Sequence, residues 1–388
     1  MSKMVCGRVE WWFKGMKRSL GCDHMIKVGI SSMDLSFPKG LEMAGYILRK
    51  GVSAGYHDPL QLFCIYLNKN ETEIAILIFD LLTVPKAFPK QIDGIRLIPV
   101  ATHTHSGPKP SLVKDILESS AREALVKAKQ NSANLNELIV KQSEISGICD
   151  FRNKQNSTKV PANLIEFKTV RQRFSITLFS CHPTVLGPEN LLYSSDIAGA
   201  IRRKLQMKDG YPVVFLNSCC GDLSTHKTRK ERSFAEIERL SDIFLEQYTP
   251  YVVYQTCVPE RLSMKEIDFE VESVEKDIGG VSLNKRDLPG VMLLEQRGRL
   301  SKRERTTISF LMIDSLKFIF VPFELFFGFC NLVSSIAKFA FIVCYANSPA
   351  SYVVPKNVKS GYEWLASPYA DNTEDKLLSL ISCELMRL

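Results

Sequence analysis

The sequence lacks the periodic and compositional bias of fibrous, repeat and disordered proteins. It contains no collagen-like period, no solenoid repeat and no low-complexity tract. Apolar residues make up 45% of the chain and charged residues 24%, a balance that excludes a largely disordered protein. The 388 residues exceed what one simple core usually holds, so we expect one large α/β unit or two fused lobes.

A strong excess of one charge is also missing. The 50 Lys and Arg residues only modestly exceed the 42 Asp and Glu residues, for a formal charge of +8. A nucleic-acid-binding domain would concentrate such an excess in a stripe, so we expect no nucleic-acid partner. The densest basic run is KTRKER at residues 227–232. This run is typical of a solvated loop or helix start, and a patch for an anionic ligand is the alternative.

Paired cysteine motifs and a secretory signal are absent as well. The 11 cysteines are scattered, odd in number and free of any Cys-x-x-Cys spacing. Residues 1–22 contain no continuous apolar segment of the kind found in signal peptides. We therefore expect reduced cysteines in a cytoplasmic protein, with residues 1–25 as an N-terminal extension to a domain that spans residues 26–388.

No apolar run is both long and uninterrupted enough to span a bilayer. The segment Phe318–Tyr345 comes closest, but Pro322, Glu324 and Lys338 interrupt it, and a carboxylate in mid-span is costly in lipid. We expect no transmembrane segment here. The pattern instead predicts a buried strand over residues 316–321, a helix over residues 325–337 and a second buried strand over residues 339–345.

Strands that alternate with helices run along the rest of the chain. Residues 74–82 and 97–102 are apolar runs typical of buried strands, and apolar residues recur at helical spacing over residues 112–128. This order predicts an α/β fold with mixed sheets flanked by helices. Residues 256–303 are polar and irregular in period, and we interpret them as a flap or small subdomain.

Histidine is scarce, and three of the six histidines follow predicted strands. His103 and His105 lie two residues apart, so they point to the same side of a strand. They could share a metal, or divide into one ligand and one proton-handling group. His182 ends another strand, directly before a proline. Because open sheets bind ligands at the carboxyl ends of their strands, a joint site is expected, with a structural role as the alternative for each histidine.

Three further segments place polar groups where a partner is needed. The small residues of Gly221–Ser224 allow a backbone to approach a ligand closely. Glu324 stands in an apolar run, and a buried carboxylate requires a metal or an arginine. Tyr352 and Tyr362 could bind zinc or donate to an oxyanion, although tyrosine more often has a packing role.

Taken together, these segments resemble the neutral/alkaline (non-lysosomal) ceramidase family, in its catalytic N-terminal domain. The resemblance covers most of the chain, from about Lys27 to about Leu377, and does not include the C-terminal immunoglobulin-like domain of larger members. The matching motifs occur in the family's order. They include residues 43–46 with 57–60, residues 78–82, ATHTHSGP at 101–108, FSCHPT at 179–184, residues 193–196, residues 215–224, VPFE at 321–324, and residues 347–352 with 362–363.

The resemblance implies a zinc-dependent amide hydrolase that acts on an N-acyl substrate and belongs to sphingolipid metabolism. The zinc ligands it implies are His103, His182, Glu324 and Tyr352, and the catalytic residues are His105, Ser224, Tyr362 and Arg152. In this scheme His105 handles a proton or polarises the amide, and Tyr362 donates to the tetrahedral intermediate. The family's Asn-Arg pair is not matched, so Lys154 is an alternative to Arg152.

Two other functions stay open at this stage. A metal-dependent hydrolase of a different ester or small amide would suit the short, proline-containing connection at residues 85–94. A non-catalytic homologue would suit the Thr225-His226 pair, where the family has Pro-Asn. The expected partner is a small-molecule or lipid N-acyl substrate, with peripheral membrane contact if it is a lipid. The sequence does not set the oligomeric state.

Overall fold

A computed structural model describes residues 25–153, 158–297 and 302–387 of the chain. Nearly all of the predicted N-terminal extension therefore lies outside the described residues. The strands, numbered in chain order, are β1 (Lys27–Leu35), β2 (Gly55–Tyr56), β3 (Leu60–Lys69), β4 (Thr72–Phe79), β5 (Gln91–Ile92), β6 (Ile95–Ala101), β7 (Ala133–Ile145), β8 (Asp150–Phe151), β9 (Val160–Thr169), β10 (Arg173–Phe179), β11 (Leu192–Tyr193), β12 (Val213–Asn217), β13 (Leu223–Ser224), β14 (Tyr251–Cys257), β15 (Leu262–Ser273), β16 (Lys302–Ile313), β17 (Leu316–Phe320), β18 (Glu324–Leu325), β19 (Ala340–Val343) and β20 (Tyr352–Val353). The helices are α1 (Lys114–Gln130), α2 (Asp196–Asp209), α3 (Phe234–Gln247), α4 (Leu288–Arg297), α5 (Phe327–Ile336), α6 (Tyr362–Ala366) and α7 (Thr373–Arg387).

Two mixed sheets make up the centre of the molecule. In the larger sheet the strand order is β12-β10-β9-β7-β1-β3-β4-β6-β5, and β14 also pairs with β7. In the smaller sheet the order is β15-β16-β17-β19. Helices α1 and α2 pack on the larger sheet and α3 packs beside α2, while α5 and α7 pack on the smaller sheet. The prediction of an α/β fold with mixed sheets flanked by helices is confirmed.

The core fills both faces of the larger sheet. Along β3, Leu62 and Cys64 join the apolar cluster that includes α1, α2 and α3. The alternate residues Phe63 and Ile65 join a second cluster, which includes residues of the smaller sheet. Because both faces are covered, the central strands are continuous apolar runs rather than alternating ones.

Parallel neighbours deliver several strand ends to one edge. Strand β6 runs parallel to β4, β12 to β10, and β19 to β17. The side-chain amide of Asn217, at the end of β12, donates to the carbonyl of Cys181 at 3.0 Å and to that of Thr102 at 3.4 Å. The N–H of Cys344 donates to the Asn217 carbonyl at 3.1 Å. Asn217 thereby fixes the segments that follow β6, β10 and β19 against one another.

The segment that most resembles a membrane span folds as the sequence predicted. It forms the buried strands β17 and β19, with helix α5 between them. Within the described ranges, no helix combines the length and apolarity needed to cross a bilayer. Residues 256–303 contribute strand β15, which pairs along its full length with β16, together with helix α4.

The prediction that all cysteines are reduced is wrong for one pair. Cys219, just after β12, forms a disulfide with Cys330 in α5, across a sequence separation of 111 residues. Spacing gave no sign of this pair, because only the packing of α5 against the end of β12 brings the two thiols together. The cytoplasmic location stays a prediction.

Candidate active site

Three imidazole rings converge where β6 and β10 end. The Nε2 atom of His105 lies 3.4 Å from Nε2 of His103 and 3.1 Å from Nε2 of His182. These three histidines are a cluster whose ligand atoms all lie within 4.8 Å of one another. Zinc–nitrogen bonds of about 2.0–2.1 Å in a tetrahedral site hold ligand atoms roughly 3.3 Å apart. The spacing of the three nitrogen atoms therefore suits a single small divalent ion.

The backbone of His103 has a strained, left-handed conformation. Its backbone has a φ of +70°, a left-handed value that is uncommon for residues other than glycine. Its Nδ1–H donates to the carbonyl of Leu82 at 2.8 Å, which leaves the lone pair on Nε2 and directs it into the cluster. The Tyr345 ring stacks on the imidazole with 3.8 Å between ring centroids.

Backbone contacts orient the other two rings. His182 forms a hydrogen bond with the backbone of Cys220, and His105 forms one with the backbone of Gly45. Gly45 has a φ of +104°, and a Cβ there would lie 2.5 Å from Nδ1 of His105. Only glycine fits at this position without moving the ring.

Burial keeps two of these imidazoles neutral at pH 7. Burial, then the charges of His103 and Arg152, lower the pKa of His105 well below its usual value. Burial, then Arg152 and His103, do the same for His182. A neutral imidazole has a lone pair to offer, which is the state that a metal ligand requires.

Glu324 approaches the cluster from the side of His103. Its Oε2 lies 3.4 Å from Nε2 of His103, and it is a buried atom that no hydrogen-bond donor of the described residues reaches. Strand β18 pairs with β20 so that Glu324 is directly opposite Tyr352. Burial, then the charge of Glu324, raise the pKa of Tyr352 well above its usual value.

Arg152, which directly follows β8, belongs to the same region. Its Nη1 donates to Oε1 of Glu363 at 2.9 Å, and its side chain also forms a hydrogen bond with Tyr352. Burial alone would lower the pKa of this guanidinium, but Tyr352 and Glu363 beside it raise the pKa above its usual value. Lys154, the alternative to Arg152, lies outside the described residues.

Ser224 and Tyr362 lie at the same opening. Ser224 is buried in β13, and an isolated parallel bridge joins it to His182. The Tyr362 ring meets the Tyr352 ring edge to face, with 5.9 Å between centroids. All eight of the site residues that the sequence analysis named therefore lie in one region. The roles assigned to them stay predictions.

A cavity of about 920 Å³ opens onto this region. Six of the eight predicted site residues line this cavity: His105, His182, Arg152, Ser224, Tyr352 and Tyr362. Apolar side chains that include Ile47, Leu48 and Leu186 form another part of the wall. The cavity can hold a ligand with both a polar and an apolar portion.

Two supporting residues were not assigned a role from the sequence. Tyr345 stacks on His103 and has a left-handed φ of +61°. Asn217 binds the segments after β6 and β10 through its side-chain amide and the segment after β19 through its carbonyl. Both stand at the ends of buried strands, which is the same signal that marked the histidines. An amide or a phenol at a strand end is common enough that this signal did not separate them from packing residues.

Comparison with known proteins supports the fold rather than a sequence family. No protein-family sequence model matches the chain, and no curated protein matches it significantly in sequence. Among solved structures, a ceramidase complexed with C2 is 13% identical, covers 93% of this chain and 74% of its own, and has a TM-score of 0.71. The neutral ceramidase from Pseudomonas aeruginosa is 15% identical, with 94% and 75% coverage and the same TM-score. The chain therefore has the fold of the neutral ceramidase catalytic domain.

Proposed function

We propose that this protein is a zinc-dependent hydrolase of linear N-acyl amides. The observation that carries the proposal is the histidine cluster, in which Nε2 of His105 lies 3.4 Å from Nε2 of His103 and 3.1 Å from Nε2 of His182. The cluster opens onto a cavity large enough for an acyl substrate. The fold shared with two ceramidases supports the same reaction class. A sphingolipid amide is accordingly one candidate substrate.

The residues present fit a zinc ion. Neutral imidazole nitrogen and carboxylate oxygen are preferred zinc ligands, and Oε2 of Glu324 is a buried acceptor whose charge has no hydrogen-bonded partner among the described residues. His103, His182, Glu324 and Tyr352 would hold the ion. His105 is the third member of the cluster, and in this proposal it handles a proton rather than holding the ion. When bound, zinc would polarise the amide carbonyl and make water acidic enough to attack near neutral pH.

The chain's own groups would complete the reaction. Hydrolysis adds water across the C–N bond, so the acyl carbon keeps the water oxygen and the nitrogen gains a proton as it leaves. His105 is placed to move that proton at Nε2. Arg152 and Tyr362 can donate hydrogen bonds to the oxyanion that forms at the carbonyl. Ser224 lies beside His182 and would position the amide.

Metal analysis together with a substrate panel tests this proposal. Purified wild-type protein, supplied with Zn²⁺, should retain about one zinc per chain and should cleave N-acyl amides. His103→Ala should lose both properties. His57→Ala is the matched control, because His57 stacks on Phe234 and hydrogen-bonds to Asp58, outside the cluster.

The panel also separates the alternatives. It contains a short-chain ceramide, an N-acyl amino acid and an acyl ester with the same acyl chain. Cleavage of the ester alone would favour a different hydrolase on this scaffold. If the protein neither retains zinc nor cleaves any member, the proposal is wrong.

A further inference from the structure

One part of the cavity wall is rich in positive charge that the proposed reaction does not use. Arg229, Arg232, Arg286 and His226 line the cavity, and we call this set the cationic wall. Two of its members come from the basic run at residues 227–232. The third arginine precedes α4, so two segments far apart in sequence bring their guanidinium groups to one opening.

Two of these arginines contact no carboxylate of the described residues, although the charge of Asp196 acts on Arg229. Nη1 of Arg229 donates to the carbonyl of Thr184 at 2.6 Å and to the hydroxyl of Thr225 at 3.5 Å, both neutral oxygen atoms. Across the described ranges, no carboxylate forms an ion pair with Arg229 or Arg286. Arg232 does pair with Glu189 at 3.2 Å, but both side chains are largely exposed and such pairs are weak.

The carboxylates of the cavity are already engaged elsewhere. Glu363 accepts from Arg152 at 2.9 Å. Asp222 Oδ1 accepts the N–H of Phe327 at 2.7 Å, and Asp287 Oδ2 accepts the N–H of Asn284 at 2.9 Å. Among the described residues, neither Glu363 nor Asp287 forms an ion pair with the cationic wall, so part of its positive potential is available to a ligand.

The positive charges of the cationic wall and of Arg152 act on His226. Burial lowers the pKa of His226, and the charges of Arg286, Arg229, Arg152 and Arg232 lower it further. The four guanidinium groups therefore act on one point of the cavity. A cleft lined by one sign of charge concentrates ligands of the opposite sign and speeds their association.

We infer that the substrate carries an anionic group, which Arg229 and Arg286 bind while its amide lies at the histidine cluster. This inference rests on the proposed hydrolase function and names its substrate class: an N-acyl amide with a carboxylate or a phosphate on the same molecule. Guanidinium groups bind both anions through paired hydrogen bonds. Ile47, Leu48 and Leu186 in the same cavity suit the acyl chain.

Two matched substrate pairs test the inference and separate the two anions. One pair is N-dodecanoylglycine against N-dodecanoylethanolamine, and the other is a short-chain ceramide 1-phosphate against the same ceramide. The zinc-supplemented wild type should show a higher kcat/KM for the anionic member. A preference in the first pair alone indicates a carboxylate, and a preference in the second alone indicates a phosphate.

Variants assign the preference to the wall. In the double variant Arg229→Gln, Arg286→Gln the ratio of kcat/KM between anionic and neutral members should fall about tenfold or more, because lost hydrogen bonds to charged groups have that order of effect. Arg261→Gln removes one exposed charge away from the cavity and should leave the ratio unchanged. The wild-type ratio should also shrink as ionic strength rises.

Failure of the inference differs from failure of the proposed function. Equal or faster turnover of the neutral members, or a ratio that the double variant does not change, overturns the inference and leaves the hydrolase standing. If no member is cleaved, calorimetric titration with N-dodecanoylglycine decides. Binding that the double variant loses would keep the anionic site and end the hydrolase proposal, and absence of binding would overturn both.

Discussion

Two of the buried polar clusters among the described residues are built in opposite ways. In the first, Asp80 accepts from Nη1 of Arg202 at 3.1 Å and Nη2 at 3.0 Å, and it also accepts the Thr102 hydroxyl at 3.1 Å and the N–H of Gln61 at 3.0 Å. The second consists of the three clustered histidines and the neighbouring Glu324. Here the Oε2 atom of Glu324 has no such donor among the described residues. The first cluster is closed and the second is open to a cavity.

The two clusters are neighbours in the chain. Thr102 binds into the closed cluster, and the next residue, His103, belongs to the open one. A fully satisfied buried network fixes the geometry of what surrounds it, whereas an unsatisfied buried acceptor is costly unless something else binds it. We infer that the closed cluster holds the end of β6 in place and that the open cluster binds a ligand.

The largest expected effect is on the open cluster. If the proposed function holds, His182→Ala should lower kcat/KM for amide cleavage by at least about a thousandfold, because it removes one of the proposed metal ligands. The free energy of unfolding of the metal-free variant should stay within about 1 kcal/mol of the wild type, since the imidazole supports no closed network. Turnover assays and urea denaturation in a chelator measure the two effects. A large loss of metal-free stability would show that His182 is a structural residue like Arg202.

The closed cluster should give the opposite result. Asp80→Asn leaves the buried guanidinium of Arg202 without its counter-charge, and we expect a loss of about 3–5 kcal/mol in unfolding free energy. Glu123→Gln is the matched control, because its pair with Lys127 is exposed and should contribute about 0.5 kcal/mol or less.

A milder variant covers the case in which Asp80→Asn does not fold. Thr102→Val removes one hydrogen bond from the network and should cost about 1 kcal/mol. The comparison fails if Asp80→Asn is no more destabilising than Glu123→Gln.

The open cluster could be foreseen from the sequence because its residues mark strand ends. His103 and His182 each follow a buried run and precede Gly or Pro within five residues, so the positions of the imidazoles follow from strand topology alone. Glu324 was recognisable because a carboxylate in an apolar run needs a partner. The resemblance to the ceramidase family put these residues in order, and the shared fold agrees with it.

The closed cluster could not be foreseen in the same way. Arg202 is 122 residues from Asp80, and in the sequence it is one of several basic residues on a helix. The sequence analysis also did not predict the paired strands β15 and β16. Strand β15 pairs with a strand that begins beyond α4, and the exposed side of β15 is polar. Long-range pairing of this kind depends on tertiary packing rather than on local pattern.

The disulfide between Cys219 and Cys330 lies near the site, and its removal should affect stability more than activity. Cys330→Ser should lower the unfolding free energy by about 2–4 kcal/mol under oxidising conditions, because a cross-link over a long loop constrains the unfolded chain. The kcat/KM should change much less than in His182→Ala. Reductant should lower the urea midpoint of the wild type but not of Cys330→Ser. Cys383→Ser, a free cysteine in α7, is the control, and a wild-type midpoint insensitive to reductant would contradict the prediction.

The smallest effect concerns Glu374, a half-buried acid in the first turn of α7. Burial, then the charges of Asp375 and Asp222, raise its pKa to about 7, above the unfolded value. The folded protein keeps a proton there that the unfolded chain has released, so this group's contribution to stability falls as the pH rises from about 4.5 to about 7. Glu374→Gln stays neutral in both states, so its unfolding free energy relative to wild type should rise by up to about 1 kcal/mol between pH 5 and pH 8, after allowance for solvent screening.

Glu384→Gln on the same helix gives the opposite sign. A hydrogen bond from Lys265 lowers the pKa of Glu384, so its stabilising contribution is present above the unfolded pKa and is lost as the pH falls. That variant should be destabilised near pH 7 and less so in acid, as measured by urea denaturation across the pH range. If both variants show the same pH trend, then Glu374 is charged in the folded protein and the predicted rise of its pKa is wrong.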